Sequence, residues 1–79
     1  MQATLQSREM GWRTWFVHDE RRQWTARHYV PRDRWTIRGT RGAEVDSMSN
    51  LGQKIIAACD AAFEADRDKL THPIVSAHT

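Results

Sequence analysis

From Trp12 to Arg38 the chain alternates large apolar or aromatic residues with arginine, threonine and histidine, which is the two-residue period of strands. Three strands are predicted. The first is Trp12-Arg13-Thr14-Trp15-Phe16-Val17, followed by a wholly polar connection, His18-Asp19-Glu20-Arg21-Arg22. The second runs from Gln23 to Val30 and stops at Pro31, which has no N–H for a ladder and a fixed φ suited to a turn. The third is Trp35-Thr36-Ile37-Arg38, ended by Gly39-Thr40-Arg41-Gly42, after which Ala43 to Asp46 form either a short further strand or a crossing segment.

Beyond this point the period lengthens. Ser47-Met48-Ser49-Asn50 supplies several N-cap residues in a row, and Asn50 with Gln53 has the spacing of a capping box. At 100° per residue Leu51, Ile55, Ile56, Ala58, Cys59, Ala62, Phe63 and Leu70 share one side, whereas Gln53, Asp60, Glu64 and Asp68 share the other. An amphipathic helix is therefore expected to about Leu70, stopped by Thr71-His72-Pro73. Asp66 falls inside the apolar arc, so the packed part should end near Phe63.

The resulting fold class is α+β, a three-stranded antiparallel sheet with one C-terminal helix on one face, in the order β-β-β-α. Residues 1–10 have no assignable period and are expected to form a flexible arm unless they dock on the sheet. Residues 11–70 make one domain, and residues 71–79 a tail.

Because side chains alternate faces, each predicted strand divides into two sets. Trp12, Thr14, Phe16, Trp24, Ala26, His28, Trp35 and Ile37 are the expected face under the helix. Arg13, Trp15, Val17, Thr25, Arg27, Tyr29, Thr36 and Arg38 are expected on the uncovered face. A register error of one residue in any strand would exchange its two sets, and Trp15-Phe16-Val17 is the run where both sets are apolar.

Composition narrows the functional classes. A chain of 79 residues buries only a thin core, and its single cysteine, Cys59, excludes an internal disulfide. Packing and association remain as sources of stability, and a homodimer is expected. Four separated histidines, His18, His28, His72 and His78, make no metal framework. Cys59 on the apolar helix side lacks the cationic neighbours of an activated thiol. Neither an enzyme, a metal site nor a cofactor is expected. With no secretory signal and no apolar run long enough to span a bilayer, the expected setting is a cytoplasm of bacterial or phage type.

Charge is unevenly distributed within a net +2. Nine arginines face four acids up to Gly42, while the remainder is net acidic. Arginine neutralises phosphate and aromatic rings stack on bases, so a basic aromatic sheet face points to a small recognition module for nucleic acid. The candidate contacts are Arg13, Trp15, Thr25, Arg27, Tyr29, Thr36 and Arg38, extended by Arg21, Arg22, Arg32, Arg34 and Arg41 in the adjoining turns. The alternative is an accessory or inhibitory protein of a phage or mobile element that uses the same face as a protein interface.

Overall fold

The computed structural model describes the backbone of residues 1–77 and the side chains of residues 1–67. Its elements are β1 Gln2–Glu9, β2 Trp12–Asp19, β3 Arg22–Tyr29, β4 Arg34–Gly39, β5 Glu44–Val45 and α1 Asn50–Ala77. The strands form one sheet in the order β1-β2-β3-β4-β5, each antiparallel to the next. The fold is thus α+β with a five-stranded sheet rather than the expected three. The additional strands are β5, within the segment read as a short strand or crossing, and β1, within the segment expected to be a flexible arm.

Turn chemistry explains β1. Met10 and Gly11 both have positive φ, 51° and 85°, the conformation of a two-residue hairpin loop whose twist matches that of the strands it joins. Space at Gly11 is also tight, because a Cβ there would lie 3.2 Å from the Pro31 ring and the Tyr29 ring. The hairpin places Ala3 and Leu5 opposite Val17 and Trp15, so β1 gains a ladder and an apolar edge to the core that its own weak pattern did not announce. The register slips by one residue between Leu5 and Ser7, a bulge in the edge strand.

The β2–β3 loop is only Glu20-Arg21, with Glu20 at φ 54°, instead of the five-residue connection expected. That difference resets the faces. Directly opposed residues share a face, and the short loop pairs Trp15 with Ala26 and Val17 with Trp24. Ala26 in turn opposes Ile37, which opposes Val45. Trp15, Val17, Trp24, Ala26 and Ile37 are consequently buried with Ile55 and Cys59 of α1. The expectation for β3 and β4 is met, whereas β2 is turned over: Trp12, Thr14 and Phe16 lie on the uncovered face, and Arg13 and Trp15 lie under the helix.

Between β3 and β4 the chain makes a 3-10 turn, Val30–Arg32, and Asp33 adopts φ 50°. His28 Nε2 and Asp33 Oδ1, 2.7 Å apart, tie this turn back to β3, while the His28 ring stacks on Trp35 with centroids 4.1 Å apart.

The helix begins within the capping run, but Ser49 rather than Asn50 is the cap: its Oγ accepts from Gly52 N–H at 3.0 Å and donates to the Asp46 carbonyl at 2.6 Å. The Gln53 side chain, instead of closing a box with Asn50, donates to the Ser47 carbonyl at 2.6 Å. From there α1 crosses the sheet. Gln53 and Ile56 line a groove against Asp33 to Thr36, and Ala58, Ala61, Ala62, Ala65 and Asp66 line another against Met1 to Leu5. Leu51, Ile56, Ala62 and Phe63 pack on the core, and Asp66 is exposed as expected. The backbone of α1 continues through the stop expected at Thr71-His72-Pro73, and the side-chain assignment of Leu70 lies outside the described residues. Among the described residues no helix is long and apolar enough to cross a membrane.

Candidate functional site

With α1 occupying one side of the sheet, the other side is an uncovered surface whose residues can be read directly from the strand pairing. One row across the sheet is Glu9, Trp12, Tyr29 and Arg34. The next is Ser7, Thr14, Arg27 and Thr36. The third is Thr4, Phe16, Thr25, Arg38 and Glu44, and a fourth, Gln2, His18 and Gln23, closes the end.

Seen along the strands, the same positions sort by chemistry. β2 contributes Trp12, Phe16 and His18, so the rings lie in a line, joined at one end by Tyr29 of β3. Arg27, Arg34 and Arg38 occupy β3 and β4. The acids of this face, Glu9 and Glu44, stand only on the flanking strands β1 and β5. Trp12 and Tyr29 pack as a tilted pair with centroids 4.9 Å apart, and the Arg27 guanidinium lies over the Trp12 ring at 4.6 Å. Phe16 and His18 are 5.9 Å apart at a similar tilt. The rings are half-buried, while Arg27, Arg34, Arg38 and Thr25 are exposed.

Among the described residues none of Arg27, Arg34 or Arg38 takes part in an ion pair. Their charge is thus not consumed by the fold. A shallow depression between Phe16 and Arg38, lined also by Gln23, Thr25 and Thr40, connects the aromatic line to the cationic one.

Of the residues expected at the site, Thr25, Arg27, Tyr29, Thr36 and Arg38 share this face, and Arg34 joins them from the start of β4. Arg13 and Trp15 do not. Arg13 lies on the helix side, with its guanidinium 3.9 Å from the centre of the Phe63 ring, and Trp15 is 1% exposed in the core. Arg22 is likewise on the helix side, stacked 4.9 Å from the Trp24 ring. Arg21, Arg32 and Arg41 sit in exposed turns around the sheet. Trp12 and Phe16, expected in the core, are the rings that the uncovered face contains instead. A two-residue β2–β3 loop was the signal that would have found them, and Glu20-Arg21 lacks the glycine or asparagine that marks such loops.

Other chemistry finds little support. Cys59 is fully buried, and burial, reinforced by the charge of neighbouring Asp60, pushes its thiol up to about 12, the reverse of activation. Among the described residues no group of three or more His, Cys, Asp and Glu side chains is placed to hold a metal ion. Comparison with protein-family models, curated proteins and solved structures returns no match, so the functional reading rests on this chain's own geometry.

Proposed function

We propose that this protein is a non-enzymatic nucleic-acid-binding module that works through the uncovered sheet face. The observation that carries this reading is the juxtaposition of Arg27, Arg34 and Arg38, exposed and in no ion pair among the described residues, with the half-buried rings of Trp12, Phe16 and Tyr29. Phosphate attracts the guanidinium groups and releases counterions, while the rings offer faces on which bases stack. Arg21, Arg32 and Arg41 in the surrounding turns extend the positive field.

Fluorescence anisotropy with generic labelled oligonucleotides at low and moderate salt tests this. Binding should weaken steeply with ionic strength, and Arg27→Ala with Arg38→Ala should flatten the slope of log K against log salt by about 0.7–0.9 for each phosphate contact removed. No binding at low salt rejects the reading.

A second reading, self-association, draws on a different surface. Among the described residues the outer edge of β1 has no strand beside it, and from Gln2 to Leu5, before the bulge, it is regular and uncharged, so a second copy would meet no like-charge repulsion in pairing there. Sedimentation velocity over a concentration series decides it, and a monomer throughout rejects it.

A further inference from the structure

Resting on the nucleic-acid reading, we infer that the preferred ligand is a single strand, DNA or RNA, lying along β2 with two or three bases on the Trp12–Phe16–His18 line and its phosphates toward Arg27, Arg34 and Arg38. Three features of the face lead to this.

The first is spacing. Phe16 and His18 stand at alternate positions of β2, about 7 Å apart along the strand, and Trp12 stands two rows from Phe16, about 14 Å away with Thr14 between them. Bases within one strand of a duplex follow each other at about 3.4 Å. Successive bases resting on these rings must therefore be unstacked from one another, which an open strand allows and a duplex forbids.

The second is breadth. From β1 to β5 the sheet spans four interstrand gaps, about 19 Å before side chains are added, against a major groove of about 12 Å and a minor groove of about 6 Å. The rings and arginines lie in the middle of this span, on β2, β3 and β4, where a groove wall cannot reach them. A duplex laid on the face would present its backbone to Arg27 and leave Trp12 and Phe16 without base contact.

The third is polarity across the strands. The rings are on β2 and the cations on β3 and β4, with the Phe16–Arg38 depression between them. A nucleotide has this same two-sided character, an apolar base face joined through a sugar to a charged phosphate. The Arg27 guanidinium lies on the Trp12 ring, and swinging aside to a phosphate would free that ring for a base. The polar residues of the rows, Thr14, Thr25, Thr36 and Gln23, are uncharged and offer both donors and acceptors, which suits contact with varied sequences better than readout of one.

The test is a matched titration: one labelled 20-nucleotide sequence as single-stranded DNA, as single-stranded RNA and as the DNA duplex, at the same salt, with tryptophan emission read alongside anisotropy. At least one single-stranded form should bind tenfold or more tighter than the duplex and quench tryptophan fluorescence. Trp12→Leu and Phe16→Leu keep an apolar side chain on the sheet and remove the stacking face, so each should weaken single-strand binding roughly 5- to 150-fold. Trp12→Phe should restore most of the loss at that position, and circular dichroism should confirm that all three variants are folded. Equal or tighter duplex binding, or unchanged single-strand affinity in folded Trp12→Leu and Phe16→Leu, overturns this inference while leaving nucleic-acid binding in place. Absence of binding to all three ligands overturns both.

Discussion

Gly52→Ala would ordinarily help a helix, and here it should damage the protein. Gly52 is buried in the first turn of α1, and a Cβ built on it would lie 2.1 Å from the Asp46 carbonyl oxygen and 2.9 Å from the Ser47 Cα and carbonyl carbon. Reaching ordinary contact requires the two backbones to separate by about 1 Å or more. Neither is free to move. The Asp46 carbonyl accepts from both Ser49 N–H at 3.0 Å and Ser49 Oγ–H at 2.6 Å, and the Ser47 carbonyl accepts from Gln53 Nε2–H at 2.6 Å. Separation stretches these bonds and the cap that Ser49 provides.

The magnitude follows from opposing terms. Overpacking costs about 1–3 kcal/mol, and weakening the cap adds about 1 kcal/mol. Replacing glycine in a helix returns about 1 kcal/mol, leaving a net loss of about 1–3 kcal/mol. For a domain of this size each kcal/mol moves the midpoint by about 4–8 °C, so thermal unfolding followed by circular dichroism should show a fall of roughly 5–20 °C. Ala57→Gly, on the exposed side of the same helix, isolates propensity and should cost about 1 kcal/mol. A Gly52→Ala protein as stable as the parent, or more so, would refute the close backbone approach.

Three further outcomes follow from the assignment of faces and core. Arg13→Ala should lower stability by about 0.5–2 kcal/mol through loss of its contact with Phe63, yet leave nucleic-acid affinity within threefold, the opposite of Arg27→Ala; chemical denaturation beside the binding titration separates the two. Cys59 should resist a thiol reagent at pH 8 until the chain is unfolded. Its raised folded-state value means that the unfolded chain gives up the proton first, so stability should decline as pH rises from about 9 toward 12, and Cys59→Ala should lack that part of the decline. Trp15 is buried and its Nε1 has no hydrogen-bond partner among the described residues, so Trp15→Phe removes an unsatisfied donor along with some packing. Its cost in denaturant melts should be less than half the roughly 3–5 kcal/mol expected for Trp15→Ala.

The sequence alone determined the strands β3 and β4 and the faces of their side chains, because Pro31 bounds them and Trp24, Ala26, Trp35 and Ile37 alternate cleanly with polar residues. It also determined the start and packed side of α1, since a run of capping residues precedes a 3.6-residue apolar pattern and both signals are local. Thr25, Arg27, Tyr29, Thr36 and Arg38 were therefore legible as one surface. The orientation of β2 was not. Trp12 and Phe16 on one side, Trp15 and Val17 on the other, are nearly equal claims to the core, and local hydrophobicity cannot choose between them. The choice came from the Glu20-Arg21 loop, whose length sets which residues of β2 oppose Trp24 and Ala26 and so join them in one core with Ile55 and Cys59. β1 was hidden for a related reason, since Ala3 and Leu5 have value only once β2 presents Trp15 and Val17 beside them. The aromatic half of the candidate site, Trp12 and Phe16, is thus a product of tertiary pairing, while of its cations Arg27 and Arg38 were written in the chain, Arg13 having turned to the helix side with β2 and Arg34 having joined from the start of β4.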